Sequence, residues 1–433
     1  MKQLTLGSLF SGAGGFELAG QLCGIKPLWA SEIEPFPIRV TTKRFPDMLH
    51  LGDICRINGA DIPPADIVCF GSPCTSLSIA NNRREGLAGK QSGLFFEAIR
   101  IIKEMRTATS GTHPRFICFE NVPGAFSANS REDFRTILTE IVQIADPDAE
   151  VPAPGKEGWP RADILLGDGW SVAYRTLDAQ HFGVPQRRER IYLVADFGSQ
   201  RAGNILFERE GLCRNAAPCF RAWQDVCGAP ADGAGAAGGV IAVENHPADS
   251  RLKIRGDGIV QTLSARMGTG GNNAPLVLCI AGNTIDRTSN SGSNGLGVNE
   301  NISCTLTTAD RHAVLYPENT RFILRRLTPT ECAALQGFPK GWCAGLETPE
   351  PTEADIAFWT EVFETHRRII GKVKKPKTRT QIVKWLRAPY GESAEYKMWG
   401  NSLAVPCAMF VLEGIAELVR EEVNLQIDCN CID

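Results

Sequence analysis

The sequence predicts an α/β protein, a doubly wound and mostly parallel sheet with a smaller, loop-rich β domain inserted into it. Three observations support this fold class. The 433 residues are too many for one ordinary domain. Short apolar runs alternate with amphipathic stretches over residues 1–198, which is typical of parallel strands covered by helices. Glycine and polar residues then replace that pattern, which indicates a separate region.

The alternating pattern assigns individual elements. Buried strands are predicted at residues 4–10, 28–30, 67–70, 116–119 and 191–195, because each apolar run ends at a polar or glycine-rich turn. Apolar residues at helical spacing predict helices over residues 95–105 and 134–144. Ligands bind beyond the carboxyl ends of the strands in such sheets, so the residues that follow each strand are the candidates for function.

The middle of the chain has a different character. Residues 228–300 hold 14 of the 43 glycines. A weak repeat, residues 261–264 leading to 275–278 and residues 304–307 leading to 313–315, predicts strand–loop–strand units, although a chance match within a turn-rich region stays open. Residues 366–387 carry nine Lys or Arg and no acid, which is compatible with either a solvated face or contacts to phosphates.

Charge and cysteine content limit the function classes. The net charge of −3 excludes a protein that coats DNA through overall positive charge, so nucleic-acid contacts must be local. The 15 cysteines lack a repeating spacing, the start lacks a secretory pattern, and no run of 18 apolar residues occurs. We therefore expect a cytoplasmic protein with free thiols. Cys429 and Cys431 have no second pair at a suitable spacing, so no metal site is predicted.

Three strand ends predict an adenosine site. The first strand runs into a glycine-rich turn at residues 10–16, where the backbone can approach a ligand closely. Glu32 follows the second strand and suits two ribose hydroxyls, and Asp53 could accept from an adenine amino group. Each acid alone is compatible with a helix cap, and the glycine turn alone is compatible with nicotinamide binding. Together the three features favour adenosine.

The residues for chemistry follow later strands. Cys74 stands after the fourth apolar strand, in a proline-stiffened loop among hydroxyl residues. A free thiol has a pKa of about 8.5, so a nucleophile there needs local help to ionise. Glu120 ends the next strand and would lie near Cys74 if the two strands are neighbours. Arg188 and Arg190 alternate in an extended segment, so both can face one pocket.

These runs together resemble the DNA (cytosine-5)-methyltransferases of bacteria and their phages. The matching runs, in the family's order, are LFSGAGGFELAG, GSPCTSLSIA, ENVPG, QRRERIYLV, RRLTPTECAALQGFP and GNSLAVP. The resemblance implies the S-adenosylmethionine-dependent methyltransferase fold, with S-adenosyl-L-methionine as cofactor and double-stranded DNA as partner. It also implies a catalytic domain of residues 1–198 completed by residues 396–425. Residues 199–395 would then be the target-recognition domain and a connecting basic segment.

The resemblance also implies roles for single residues. Cys74 would add to carbon 6 of a cytosine flipped out of the duplex, so that carbon 5 can take a methyl group. Glu120 would hold ring nitrogen 3, and Arg190 with Arg188 would bind the carbonyl oxygen or organise the loop. The implied cofactor-binding residues are Phe10, Ser11, Gly12, Gly14, Gly15, Glu32, Ile33, Asp53, Ile54, Asn401 and Ser402.

Some features depart from the family or stay open. Thr75 stands where the family often has glutamine, Leu77 replaces a frequent aromatic residue, and the stretch between Pro339 and Gly400 is longer than compact members need. The rival functions are a catalytically silent DNA-binding relative, an RNA cytosine methyltransferase and a nicotinamide-dependent oxidoreductase. We expect a monomer that serves restriction–modification or phage DNA protection, with a companion restriction endonuclease as a candidate partner.

Overall fold

A computed structural model provides the structure of this chain. It describes residues 3–71, 93–184, 186–207, 328–371, 375–388 and 391–430, and the backbone of four strands between residues 241 and 326. Cys74 and the predicted repeat segments 261–264, 304–307 and 313–315 lie outside the described residues.

One large sheet has eight strands in the order β3-β2-β1-β4-β5-β8-β7-β6. The strands are β1 Thr5–Leu9, β2 Lys26–Ser31, β3 Leu49–His50, β4 Ile67–Phe70, β5 Phe116–Asn121, β6 Ala162–Leu166, β7 Ser171–Asp178 and β8 Glu189–Asp196. Strands β1 to β5 run parallel, whereas β8, β7 and β6 continue the sheet in antiparallel fashion. The predicted fold class, α/β with a mostly parallel sheet, is confirmed.

Helices cover both faces of this sheet. One hydrophobic cluster joins one face to α1 Gly15–Leu22, α2 Pro35–Arg44, α5 Ala202–Leu206 and the long α10 Val405–Asn430. A second cluster joins the other face to α3 Gly93–Ala108 and α4 Glu132–Val142. The parallel strands β1, β4 and β5 are almost fully buried, which explains why they are continuous apolar runs in the sequence.

The strand order reverses direction at β1. This strand pairs with β2 on one side and with β4 on the other, and Leu9 lies beside Phe70. Phe70 in turn lies beside Phe119 of β5. The turns that leave these three strands therefore start at one edge of the sheet, at the switch point where doubly wound folds bind ligands.

A second, four-stranded antiparallel sheet supports the prediction of a β-rich region in the middle of the chain. Its order is β10-β9-β11-β12, and its strands are β9 Ile241–His246, β10 Arg251–Arg255, β11 Leu276–Cys279 and β12 Ile323–Arg326. Strand β11 overlaps the predicted segment 275–278.

Four further helices follow β12, namely α6 Pro329–Leu335, α7 Glu353–Ile370, α8 Arg379–Arg387 and α9 Glu392–Asn401. The first three begin with capping boxes at Thr328, Thr352 and Thr378, which satisfy the free N–H groups of the first turn. We call α7, α8 and the residues between them, 353–387, the helical insertion. It packs against α2, while α6 joins the core beside α9 and α10. The domain boundary at residue 395 stays a prediction.

Within the described parts of the chain, no single helix is long and apolar enough to cross a membrane. The bent pair Glu392–Asn401 and Val405–Leu425 passes that test jointly, by length and composition only.

Candidate active site

Hydrogen bonds connect the turns that follow the first three strands. The Ser11 N–H donates to the Ser31 carbonyl over 3.1 Å, and the Ser31 hydroxyl donates to the Gly52 carbonyl over 2.7 Å. Phe10 and Gly12 both adopt positive φ angles, of 60° and 55°, which turn the chain sharply away from β1. The predicted cofactor residues of these turns are therefore brought together at one edge of the sheet.

The Glu32 carboxylate lies at the centre of this edge. Its Oε2 accepts from the Gly12 N–H over 2.8 Å, and its Oε1 accepts from the N–H groups of Ile33 and Glu34 over 2.8 and 2.9 Å. Burial raises the pKa of Glu32, although the three N–H donors oppose this. A carboxylate offers about four acceptor positions, so one remains for a ligand hydroxyl. Glu32 therefore fixes the glycine turn and can still bind a ribose.

Asp53 follows β3 and has two neighbours. Its Oδ1 accepts from the Cys55 N–H over 3.1 Å and so caps the short 3-10 helix Ile54–Arg56. Asp53 is thus a helix cap through its Oδ1. Its Oδ2 lies 3.8 Å from a guanidinium nitrogen of Arg368 in α7. The second oxygen keeps acceptor capacity, so the adenine contact stays a prediction.

The three predicted glycines have different surroundings. A Cβ on Gly12 would meet nothing closer than 3.9 Å, so the chain there is open to a ligand. A Cβ on Gly14 would lie 2.9 Å from the Phe45 ring, and one on Gly15 would lie 2.9 Å from Leu403. Packing inside the protein alone therefore requires Gly14 and Gly15 to be small. Their contact with a cofactor stays a prediction.

Sequence reasoning missed a buried acid behind the glycine turn. Glu17 is fully buried, and its Oε1 accepts from the hydroxyls of Ser8 and Ser11, each over 2.5 Å. Burial raises the pKa of Glu17. The Ser11 hydroxyl is occupied by this contact, so Ser11 shapes the turn from within. The only signal in the sequence was an acid among the apolar residues of α1.

Glu120 and Arg190 meet where β5 and β8 lie side by side. The Glu120 Oε1 is 3.1 Å from the Arg190 Nε, close enough for an ion pair but not aligned for a hydrogen bond. Both side chains are only 14% exposed. A Cβ on Gly71, the residue after β4, would lie 3.1 Å from the Glu120 Oε2. The backbone that leads towards Cys74 thus leaves β4 in contact with this carboxylate.

Arg188 is a buried cation connected to the far end of the chain. One of its terminal nitrogens donates to the Ser402 carbonyl, whereas its Nε and Nη1 have no partner among the described residues. Burial, and next the charge of Arg190, lower the pKa of Arg188 to about 9, so it remains a cation at neutral pH. Ser402 is buried at the end of α9, and Asn401 beside it is exposed. The last predicted motif therefore reaches the predicted catalytic arginine.

Tyr192 and Cys407 lie near this cluster but are poor nucleophiles. Tyr192 pairs across the sheet with Glu120, and burial raises its pKa well above the usual value. The seven described cysteines are free thiols, and four of the five buried ones have a pKa raised mainly by burial. These four are Cys69, Cys332, Cys343 and Cys407. A buried neutral thiol does not attack an electrophile efficiently.

The basic segment is largely engaged within the protein. Arg367 binds Glu364 on its own helix, and Arg379 binds Glu353. Arg387 donates to the Pro349 carbonyl, and the Lys377 ammonium lies 5.0 Å from the centre of the Phe363 ring. These contacts favour the solvated-face alternative over phosphate binding for the described part of the segment.

Comparison with known proteins agrees with this geometry. The chain matches the family described as C-5 cytosine-specific DNA methylase over residues 4–144 and 164–354. The DNA N-6-adenine-methyltransferase of Escherichia phage P1 is 27% identical over 499 aligned residues, which cover 97% of this chain and 62% of that protein. Type II methyltransferase M.BsuFI of Bacillus subtilis is 32% identical over 192 residues, with 44% and 39% coverage. Type II methyltransferase M.Bsp6I of Bacillus sp. (strain RFL6) is 25% identical over 361 residues, with 78% and 88% coverage.

The chain spans less than two thirds of the first two relatives, so their whole-protein activities are not transferred to it directly. The family match nevertheless includes well over half of the 433 residues, on both sides of residues 145–163. The resemblance drawn from the six sequence runs is thereby confirmed. The chain belongs to the C-5 cytosine-specific DNA methylase family.

Proposed function

We propose that this protein is a DNA (cytosine-5)-methyltransferase that transfers a methyl group from S-adenosyl-L-methionine to duplex DNA. One observation carries the proposal. Glu120 and Arg190 form an ion pair directly beside Gly71, from which the chain continues to Cys74. An acid and a cation at one pocket can bind a ring nitrogen and a ring carbonyl of the same pyrimidine.

The strand-end residues fit the adenosine part of the cofactor. Glu32 has one acceptor position free, Asp53 caps a short helix through its Oδ1, and the chain at Gly12 is open. The cofactor would supply an electrophilic methyl group. Glu32 would hold a ribose hydroxyl and Asp53 the adenine amino group, with Phe10, Ile33 and Ile54 as apolar contacts beside the ring. Leu403, next to Ser402, closes the glycine turn from the other side.

The chemical step would use residues at the neighbouring strand ends. The Cys74 thiolate would add to carbon 6 of a flipped cytosine, and the electrons of the carbon 5–carbon 6 double bond would make carbon 5 nucleophilic. Glu120 would stabilise a proton on nitrogen 3 while charge enters the ring, and Arg190 would bind the carbonyl oxygen. After carbon 5 has gained its methyl group it loses a proton, and the bond from carbon 6 to sulfur breaks. Arg188, a buried cation held by Ser402, would keep the pocket positive.

The same reasoning gives the biological setting. The Type II relatives favour a role in restriction–modification or in protection of phage DNA, performed by a monomer on double-stranded DNA. Residues 199–395, which include the second sheet, would read the target sequence. Methylation of RNA stays an alternative, and a comparison of DNA and RNA as substrates distinguishes the two.

A second candidate is methylation of the adenine amino group, because the phage P1 relative that covers 97% of this chain carries that name. That relative extends well beyond the match, since only 62% of it is covered. Methylation of an exocyclic amine needs no thiol that adds to the ring, so Cys74 would have no role in it. The two candidates therefore differ in both product and mechanism.

The test is to express the chain in cells that lack DNA methylation and to identify the modified nucleosides by mass spectrometry. We expect 5-methylcytosine from the wild type and none from Cys74→Ala, with cofactor binding retained by the variant. N6-methyladenine, or 5-methylcytosine formed by Cys74→Ala, would contradict the proposal.

A covalent trap tests the mechanism without knowledge of the target sequence. Long amplified DNA that carries 5-fluorocytosine cannot lose the group at carbon 5, so the enzyme should stay bonded to it through Cys74. The Cys407→Ala variant is the matched control, because this buried thiol lies near Arg188 and should be dispensable for the adduct. An adduct located at another cysteine would refute the role of Cys74.

A further inference from the structure

The helical insertion lies against the side of the sheet where β2 and β3 end. The family match stops at residue 354, so nearly all of the insertion lies beyond it. Ile38 of α2 packs into a separate apolar cluster with Trp359, Ile382 and Leu386 of the insertion. These contacts fix the position of α7 relative to the strand ends that form the candidate cofactor site.

Charged side chains of α7 and α9 meet the acids at those strand ends. A guanidinium nitrogen of Arg368 is 3.8 Å from the Asp53 Oδ2, and the His366 Nε2 is 3.5 Å from the Glu34 Oε2. The Lys397 ammonium is 2.8 Å from the Glu34 Oε1. His366 and Lys397 lower the pKa of Glu34 to about 2. Glu34 directly follows Ile33, so the insertion contacts both turns of the adenosine site.

Asp53 is the more informative of the two acids. Its side chain is 13% exposed, and its Oδ1 is used as a helix cap. Its Oδ2 lies 3.8 Å from the Arg368 guanidinium. A positive charge near one carboxylate oxygen favours the orientation of the carboxylate that keeps the two groups close. Arg368 itself is 46% exposed, so its effect must be moderate.

We propose that helix α7 forms the outer wall of the adenosine end of the cofactor site, and that Arg368 is a positioning residue which orients Asp53 towards the adenine amino group. This inference rests on the proposed function, because it assigns a role to the same site. It also explains why Arg368 points to the catalytic sheet while Arg367 beside it binds Glu364 on its own helix.

The test is isothermal titration of S-adenosyl-L-methionine into the purified full chain without DNA. We expect Arg368→Met to weaken binding about three- to five-fold, as for a partly exposed ion pair. Arg368→Lys should restore most of the affinity because it keeps the charge. The matched control, Arg367→Met, should bind as the wild type does. In turnover assays, Arg368→Met should raise the KM for the cofactor and leave kcat and DNA affinity unchanged.

A double-mutant cycle tests whether Arg368 acts through Asp53. In the Asp53→Asn background, the Arg368→Met change should have no further effect on cofactor affinity. Additive losses would overturn the positioning role, as would unchanged binding by Arg368→Met. A loss of DNA affinity without a loss of cofactor affinity would overturn it in favour of a phosphate contact. If the wild type itself bound no cofactor, the proposed function would be wrong as well. Failure of the positioning role alone would instead leave cofactor binding by the wild type intact.

Discussion

Replacing Arg39 by Met should detach the helical insertion from the catalytic sheet. Arg39 lies in α2, is 3% exposed, and donates to three carbonyls of the segment that begins after α6. The acceptors are Leu346 at 3.0 Å, Trp385 at 2.7 Å and Leu386 at 2.7 Å. Its guanidinium also lies 4.4 Å from the centre of the Trp385 ring. Methionine keeps the apolar stem and removes all three donors.

The magnitude follows from the carbonyls that lose their partner. Leu386 still accepts from the Thr348 N–H, so Leu346 and Trp385 are the two acceptors left without this donor. Each buried polar group without a partner costs about 1–3 kcal/mol, and the lost contact with the aromatic ring adds about 0.5–1 kcal/mol. We therefore expect the insertion to be destabilised by about 2.5–7 kcal/mol.

Hydrogen exchange measured by mass spectrometry resolves such a local loss. Amides of α7 and α8 should exchange roughly 60- to 10⁵-fold faster, since about 1.4 kcal/mol corresponds to a factor of ten. Peptides from α3 should be unaffected, and Arg367→Met should leave the insertion protected. Unchanged exchange in α7 and α8, or an equal increase throughout the sheet, would refute the role assigned to Arg39.

Two further predictions concern catalysis and pH. Glu120→Gln should lower kcat about 10²- to 10⁴-fold with little change in cofactor affinity, because the amide cannot stabilise the proton on the base. Pre-steady-state methylation assays measure kcat, and titration calorimetry measures cofactor affinity. A kcat near that of the wild type would exclude Glu120 from the chemistry. Burial lowers the pKa of His50 to about 4, so its contribution to stability is complete above about pH 6.5 and is lost as the pH falls towards 4. The free energy of unfolding of the wild type, measured by urea titration, should thus fall by about 2 kcal/mol between about pH 7 and pH 5. That of His50→Gln should fall less. If both proteins lost the same stability over this pH range, His50 would not be the group responsible.

The apolar runs predicted five of the eight strands of the large sheet. Strands β1, β4 and β5 are almost fully buried, and this burial makes each one a continuous apolar segment. Strand β7 was not predicted although it is long, because Arg175 and Thr176 interrupt its apolar pattern. Strand β3 has two residues, too few for any periodicity to indicate it.

The sequence indicated individual residues of the candidate site but not the contacts between them. Glu120 and Arg190 form an ion pair because their strands are neighbours in the sheet, although the two residues are 70 positions apart in sequence. A local sequence pattern does not contain this pairing. The basic run at residues 366–387 was visible, yet its charge alone did not indicate that Arg368 faces Asp53. Such pairings depend on the packing of α7 against α2, which requires the tertiary fold.

The hydrogen bond from Arg188 to the Ser402 carbonyl has a consequence for biosynthesis. A ribosome that has just added Arg188 must add 214 more residues before the acceptor exists. At about 5–20 residues per second, this delay is on the order of 10–40 s. A nascent chain can build its first strands during that time but not a completed pocket. Ribosome-bound chains should therefore lack this buried contact until the residues around Ser402 have been translated.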